Sequence, residues 1–298
     1  MKIPTLEGLI RRRLLINFRV DQAAMQRLLP AAFRPKLYRG HAIAGLCLIR
    51  LEQVRPAGVP PLFGFSSENA AHRVAVEWTT RQGETREGVY IFRRDTDSAL
   101  AHLAGGRLFP GIHHPAEFRI TDEQGEIDFA MTSRAGDADI HLHGTETDAL
   151  PPTSWFQSLA ESSRFFENGS LGYSESKHTA RRRVARQRQA SLCCPGARSA
   201  QEAAEDVRTP VAASCAATEV SVAAPGQQVV RATPCDPPYS DGDFDGLRLE
   251  TTHWDVRPFA VTHVASHWLA ANLPGAEFDH ALLMRDIPHR WHNAKGTL

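Results

Sequence analysis

Apolar residues recur at every second position along several segments of this 298-residue chain, and this spacing constrains the fold more than any other feature. The segment 10–20 shows it clearly. There the alternate positions are occupied by Leu14, Ile16, Phe18 and Val20. Such a pattern is typical of a strand with one buried face. The pattern recurs at 72–78, so the sequence predicts a mainly β protein, α+β in content.

Other segments add further strands. The segment 42–54 is apolar on both faces for most of its length, which predicts a central strand covered on both sides. The polar residues 80–84 predict a hairpin between strands 72–78 and 88–94. Three further strands, each followed by a turn rich in Gly and Asp, predict a meander. They are the segments 116–121, 127–133 and 138–145.

A few short helices are predicted outside these strands. Asp21 can cap a helix over 22–29 that ends at Pro30. Thr96 or Ser98 can cap another that ends near residue 103. An amphipathic helix is predicted from Ser154 onwards, and strand-like sequence returns over residues 244–268.

The charge balance excludes some functions. The chain has 34 Lys and Arg residues and 34 Asp and Glu residues, which gives no reason to expect nucleic acid or an anionic membrane as a partner. No run approaches the roughly 20 apolar residues of a membrane span, and the first residues lack the apolar core of a signal peptide. We therefore expect a soluble, cytoplasmic protein. Assembly into a homo-oligomer is left open.

Residues 179–238 differ in composition from the rest of the chain. They contain no Phe, Tyr, Trp or Lys and are rich in Ala, Arg, Gln, Ser and Pro, so they offer little apolar surface to offset the ordering entropy. We predict one domain formed by residues 1–177 and 239–298, interrupted by a disordered insertion over 178–238. A frameshifted reading of GC-rich DNA would produce the same abrupt change.

Two adjacent arginines, Arg93 and Arg94, close the apolar run of the second hairpin strand. Strict alternation places Arg93 on the face of Val89 and Ile91, unless a bulge intervenes, and one of the two arginines is expected to point inward. That guanidinium is either a clamp for a carboxylate or phosphate ligand or one half of an internal ion pair. The sequence leaves both readings open.

Several other polar residues are candidates for a site. Glu68 and His72 are the candidate catalytic groups. Burial can raise the pKa of Glu68 into the range useful for a general base, and His72 lies immediately downstream of it. Asn69 is a candidate for ligand binding, and so are His113 and His114. The alternative is that these side chains only cap or stabilise loops. We expect no metal and no cofactor, because no motif has the usual ligand spacing or a phosphate-binding glycine pattern.

Five stretches of the chain resemble an uncharacterised bacterial family, the domain of unknown function 2071. They are Met1 to Gly8, Leu28 to Lys36, Ser66 to Arg73, Glu87 to Asp95 and Ala104 to Gly111. The likeness covers about residues 1–177 and resumes near Tyr239. That family is similar in fold to acetoacetate decarboxylase.

The resemblance implies a closed, cone-like β-barrel of antiparallel and mixed strands, with a few peripheral helices and an interior pocket. Acetoacetate decarboxylase uses a lysine that forms a Schiff base, its pKa lowered by a cationic neighbour. The similar position here holds Arg93 and Arg94, and a guanidinium is not a Schiff-base nucleophile at ordinary pH. The four lysines, Lys2, Lys36, Lys177 and Lys295, fall outside the predicted barrel strands.

Two functions from different classes remain. The first is a small-molecule enzyme, lyase-like and without a lysine imine, that acts on a carboxylated or carbonyl compound. The second is a non-catalytic barrel that binds a ligand of the same kind. Only the enzyme requires a titratable group beside the arginine, so the arrangement of side chains around the pocket discriminates between them.

Overall fold

The computed structural model describes residues 5–80, 82–99, 111–167, 169–182 and 243–294. Within these residues the chain is mainly β, as predicted. The strands are β1 (Leu6–Asp21), β2 (Arg34–Pro35), β3 (Leu37–Tyr38), β4 (His41–Pro56), β5 (Phe65–Thr79), β6 (Thr85–Thr96), β7 (His113–Glu123), β8 (Glu126–Ser133), β9 (Asp139–Glu146), β10 (Leu171–Glu175), β11 (Phe244–Thr251), β12 (Arg257–Ser266) and β13 (Glu277–Asn293). The helices with described bounds are α1 (Gln22–Leu28), α2 (Leu159–Glu167) and α3 (His267–Asn272). Residues 177–182 form a further helical stretch, and a 3₁₀ turn spans Pro61–Phe63.

The long strands pair in the order β13, β1, β4, β5 and β6, all antiparallel. From β6, two routes of pairing lead back to β13. One runs through β7, β8, β9 and β12, and the other runs through β10 and β11. The contacts of β6 with β7 and with β10 are parallel. Strands β10 and β11 of the second route line the cavity described below.

Strand β1 lies between two hydrophobic clusters. Leu14, Ile16 and Phe18 belong to one cluster, whereas Ile10 and Leu15 belong to the other. The sequence pattern predicted a half-buried strand, but both faces are covered from residue 14 to residue 18. The reason is that β1 is paired on both edges and is packed on both faces, which a period-two pattern alone does not reveal.

Most of the predicted elements are present. The central strand 42–54 is β4, paired on its two sides with β1 and β5. The hairpin is β5 with β6, and the meander is β7, β8 and β9. Helix α1 begins after Asp21, whose Oδ1 accepts a hydrogen bond from the Ala24 amide at 2.8 Å.

Two helical boundaries differ from the prediction. Helix α2 begins at Leu159 and not at Ser154, because the Trp155 amide donates to Asp279 and so does not enter a helix. At the second boundary, Ser266 caps α3 by accepting a hydrogen bond from the Leu269 amide. The predicted strand over residues 244–268 therefore ends before Trp268. The predicted helix that ends near 103 lies almost entirely outside the described residues. No helix in the described part of the chain is long and apolar enough to cross a bilayer.

The chain divides into two compact units. One comprises Met1–Ala180 with Tyr239–Leu298, and the other comprises Arg181–Pro238. Residues 177–182 are helical, and Thr179 Oγ1 donates to Asp243 Oδ1 at 3.1 Å. The rest of the predicted insertion lies outside the described residues.

Candidate functional site

A cavity of about 160 Å³ lies among β1, β4, β5, β6, β10, β11, β13 and the first residue of β7. Most of its wall is apolar. The apolar side chains are Ile49, Leu51, Phe65, Ala70, Ala71, Val89, Ile91, Leu247, Leu249 and Trp291. The polar and remaining lining residues are Arg13, Cys47, Ser67, Asn69, Arg94, Asp95, His113, Gly169, Ser170 and Gly172.

A β-bulge brings Arg94 into this cavity. In the pairing of β5 with β6, His72 lies opposite Arg93 and Arg73 lies opposite Ile91, so Phe92 is the extra residue. A bulge of this kind shifts the alternation by one position. Arg94 therefore joins Ile91 at the cavity wall, in the place that strict alternation would assign to Arg93.

Arg93 is one half of an internal ion-pair network. Its Nη2 donates to Asp95 Oδ1 at 2.8 Å and to Ser133 Oγ at 2.9 Å, and its Nη1 donates to Asp137 Oδ2 at 2.8 Å. The guanidinium holds the pKa of Asp137 well below its usual range. Burial raises the pKa of Asp95, against the opposing effect of Arg93. Arg93 is therefore part of an internal ion pair, which is the second of the two alternatives, and it does not line the cavity.

Arg94 and Arg13, by contrast, have no carboxylate at ion-pair distance among the described residues. Burial lowers the pKa of Arg94 to about 10, against the attraction of Asp245, so the guanidinium stays charged at neutral pH. The Nε and Nη1 atoms of Arg13 are buried and donate no hydrogen bond within the described part of the chain. Two cationic side chains therefore face a mostly apolar space, and no carboxylate of the described residues lies at ion-pair distance from either of them.

Asn69 and His113 also line the cavity. The Nδ2 of Asn69 donates to Ser67 Oγ at 2.9 Å, which fixes the amide at the wall. Burial, with a further contribution from Arg94, lowers the pKa of His113 to about 3, so its imidazole is neutral at physiological pH. His114 lies opposite Asp95 in the β6–β7 pairing and is not part of the wall.

Glu68 and His72 are not brought to the cavity. Because side chains alternate along a strand, Ser67 and Asn69 face the cavity whereas Glu68 and His72 face the other side of β5. Of these three candidates on β5, Asn69 alone lies at the cavity wall.

On that other side both residues have internal partners. Glu68 accepts from Arg12 Nη2 at 2.8 Å and from Arg50 Nη1 at 3.1 Å; burial raises its pKa, although the arginines oppose this. His72 Nε2 lies 3.0 Å from Ser266 Oγ, and burial lowers the pKa of His72 to about 3. Both residues belong to hydrogen-bonded networks inside the protein.

A family model, DUF2071, described as an uncharacterized conserved protein, matches residues 9–206, about two thirds of the chain. The chain belongs to this family. The match continues past Lys177 and does not extend to Tyr239, where we expected the likeness to resume. A comparison with curated proteins finds no match.

Two solved structures resemble this DUF2071 protein along nearly its whole length. Acetoacetate decarboxylase from Legionella pneumophila has a TM-score of 0.52 and 10% identity, over 98% of this chain and 86% of that chain. An acetoacetate decarboxylase-like enzyme from Sphingomonas wittichii RW1 has a TM-score of 0.50 and 10% identity, over 100% of this chain and 93% of that chain. At this identity the likeness shows that the fold is acetoacetate decarboxylase-like.

No lysine lines the cavity of this DUF2071 protein among the described residues. Lys36 Nζ donates to Glu87 Oε2 at 2.7 Å and to the Phe165 carbonyl, outside the cavity. Lys177 is close enough to His113 to contribute to the lowering of its pKa, yet it is not part of the wall. No group of three His, Cys, Asp or Glu side chains in the described ranges is arranged to hold a metal ion.

Sequence reasoning missed Arg13. The run Arg11, Arg12 and Arg13 in β1 was the available signal, because successive side chains of a strand point to opposite faces. Arg11 pairs with Glu52 and Arg12 pairs with Glu68, and Arg13 alone of the three faces the cavity. Without knowledge of the partners, the three arginines could not be told apart.

The sequence pattern also did not predict a hydrogen-bonded array formed by Ser162, His280 and Asp279. His280 Nδ1 lies 2.6 Å from Asp279 Oδ2, and His280 Nε2 lies 2.7 Å from Ser162 Oγ. All three residues are completely buried and none lines the cavity. The hydrogen bonds run from Asp to His to Ser, as in a catalytic triad, but a substrate has no access to these buried side chains. We therefore interpret the array as a structural link between α2 and β13.

Proposed function

We propose that this protein is an enzyme that acts on a small carboxylated or carbonyl compound bound in the cavity, without a lysine imine. One observation carries the proposal. Arg13 and Arg94 both line an apolar-walled cavity, and neither has a carboxylate at ion-pair distance in the described part of the chain.

The energetics favour an anionic ligand. A buried charge without a partner costs several kcal/mol, and a carboxylate can accept two parallel hydrogen bonds from one guanidinium. The cavity volume of about 160 Å³ is similar to the about 150 Å³ of an engineered cavity that binds benzene. A ligand with a few carbon atoms and a carboxylate fits both the charge and the size.

The same groups suit a lyase-like reaction. When a carbon–carbon bond beside a carbonyl group breaks, the electron pair is left on the substrate as an enolate, and a preorganised cation stabilises that charge. Arg94 and Arg13 are the groups for this role. His113 is the candidate for proton transfer, because it lines the cavity and its neutral imidazole can accept a proton. A bound carboxylate would offset the charge of Arg94 and so raise the pKa of His113.

Non-catalytic binding of the same ligand is the alternative. It is favoured by the placement of Glu68 and His72, the two titratable candidates of the sequence, on the far side of β5. The two functions share the ligand and differ in turnover and in the need for His113.

A ligand screen tests the proposal. Small carboxylates and oxo acids are added to the purified protein, and those that bind the folded state raise the melting temperature. Arg94→Lys is expected to weaken the best carboxylate about tenfold or more, because lysine offers one mobile charge in place of two fixed hydrogen bonds. Arg134→Gln, at an exposed ion pair with Glu117, is the control. Equal affinity in wild type and Arg94→Lys would reject the clamp.

A turnover assay then distinguishes a catalytic function from non-catalytic binding. Compounds that bind are incubated with the protein and followed by proton NMR. We expect the wild-type protein to consume at least one of these compounds. The His113→Gln variant is expected to bind that compound but not to consume it. Borohydride reduction in the presence of that compound is expected to give no mass adduct on Lys36 or Lys177. Binding without turnover of any compound in the screen would favour the non-catalytic alternative.

We also propose that the strand circuit forms a closed, cone-like barrel around the cavity. Its support is the pairing of β6 with both β5 and β10, and the return of β11 to β13. In such a barrel the ligand would be enclosed by strands on all sides.

A further inference from the structure

The cavity is surrounded by more positive charge than one carboxylate can neutralise. We propose that its ligand is a small dicarboxylate, with two anionic groups at separate positions. This inference rests on the proposed function and narrows its substrate class. Three guanidinium groups carry it, those of Arg13, Arg73 and Arg94.

Arg73 is the deepest of the three. It is only 4% exposed, and it lies on the same face of β5 as Ala71 and Asn69, which line the cavity. Its Nη2 donates to Asn17 Oδ1 at 2.8 Å, whereas its buried Nε and Nη1 have no hydrogen-bond partner in the described part of the chain. Asn17 is neutral, and the Phe166 ring, whose centroid lies 5.1 Å from Cζ of Arg73, supplies a cation–π attraction but no counter-charge.

Arg13 is similar. Its buried Nε and Nη1 make no hydrogen bond within the described ranges, and its contact with the Trp254 ring, at 5.8 Å, supplies only a weak cation–π attraction.

Arg94 has one acidic residue that attracts it, Asp245. That carboxylate accepts a hydrogen bond from the Gly111 amide at 3.0 Å and is not at ion-pair distance from Arg94. Asp95 also borders the cavity, but Arg93 already neutralises it. His113 adds no charge at neutral pH. Even if Asp245 is counted against Arg94, two positive charges remain.

Two of these charges act directly on each other, because Arg13 and Arg73 repel. Both Arg73 and Arg94 lie near Cys47, which is part of the cavity wall. One carboxylate would leave at least one guanidinium without a counter-charge in apolar surroundings, which is costly. Two carboxylates would balance the site.

Arg13 and Arg94 extend from strands that are not neighbours in the sheet. Arg13 is on β1 and Arg94 is on β6, with β4 and β5 between them. Three steps between neighbouring strands amount to about 14 Å along the sheet. Guanidinium groups that reach in from such separated strands suit a ligand with an anionic group at each end better than one compact anion.

Isothermal titration calorimetry of the full chain tests the inference with matched probes. Succinate and glutarate are compared with butyrate and valerate, in which a methyl group replaces one carboxylate, and inorganic phosphate represents a compact anion. We expect at least one diacid to bind tenfold or more tighter than its matched monoacid, and tighter than phosphate. The comparison uses the wild-type protein, so it does not depend on whether any variant folds.

Two variants locate the carboxylates. Arg13→Gln and Arg94→Gln are each expected to reduce the affinity for the diacid until it is close to that for the monoacid. Arg134→Gln is expected to retain the preference. Equal wild-type affinity for diacid and monoacid would overturn the dicarboxylate and leave the proposed function standing, as would tighter binding of phosphate. No binding by any of these probes would count against both.

Discussion

Single residues decide what the cavity of this protein can bind. Arg93 and Arg94 are adjacent and chemically identical, yet one is neutralised by Asp95 and Asp137 and the other faces the cavity. The sequence predicted that one of the pair points inward. It could not say which, because the answer depends on a one-residue bulge at Phe92 and on one partner, Asp137, that is 44 positions away.

The absence of a side chain at Gly111 leaves room for the guanidinium of Arg94. Its φ is +83°, and a Cβ there would collide with Arg94 Nη1 and with Ser174 Oγ. Gly111→Ala is expected to displace the guanidinium and weaken carboxylate binding at least several-fold, with a destabilisation of about 1 kcal/mol from the strained backbone. Calorimetry with the best ligand and urea unfolding measure the two effects. Unchanged affinity would show that the guanidinium does not contact the ligand.

The acid stability of the protein is expected to depend on His72. Its pKa falls from 6.5 in the unfolded chain to about 3 when folded, because burial disfavours the charged imidazole. Below pH 6.5 the unfolded state therefore binds the proton more readily, and stability is lost as the pH falls from about 6.5 towards 3. The slope for one such group approaches about 1.4 kcal/mol per pH unit.

His72→Gln checks this effect. Urea unfolding at pH 7, 6, 5 and 4 is expected to show a shallower loss of stability in the variant than in wild type. Other groups, including Glu68 and Asp95, titrate in both proteins, so the difference between the two curves isolates the histidine. Parallel curves would contradict the buried, neutral imidazole.

Secondary-structure elements were the part of the fold that the sequence predicted best. The strands β1, β4, β5 and β6 were recognisable because period two and buried apolar runs are local signals. The parallel contacts of β10 and β7 with β6 were not, since they join segments with no shared pattern. The same limit applies to the site: Asn69, Arg94 and His113 were among the candidates, whereas Arg13 and Arg73 required the register.

Helix α2 is fixed to β13 by the array of Ser162, His280 and Asp279. Asp279 also accepts from the Trp155 amide at 3.0 Å and from Ser154 Oγ at 2.8 Å. Burial would raise the pKa of Asp279, but these hydrogen bonds and that of His280 together lower it. We expect Asp279→Ala to cost about 3–5 kcal/mol and Ser162→Ala about 1–3 kcal/mol.

Urea unfolding of both variants provides the measurement, and ester hydrolysis provides the control. A structural array predicts loss of stability in the order given. The opposite result, an esterase activity of wild type that disappears in a stable Ser162→Ala protein, would mean that the array is catalytic.

At the scale of the whole molecule, the two pieces of the first unit are joined by strand pairing. Glu175 lies opposite Phe244, so the chain ends that flank residues 181–238 are adjacent. We propose that these residues are an insertion that the fold does not require. Replacement of residues 181–238 by a Gly/Ser linker of about six residues is expected to leave the melting temperature and carboxylate binding nearly unchanged. A protein that no longer folds would show that the segment is part of the domain.

The central claim is that Arg94 and Arg13 hold a carboxylate in the cavity. Its most direct test is a crystal structure of the protein with the tightest-binding carboxylate of the screen. The account predicts electron density for the ligand inside the cavity, with a carboxylate oxygen about 3 Å from a guanidinium nitrogen of Arg94 or Arg13. A ligand bound elsewhere on the protein, with only water in this cavity, would contradict it.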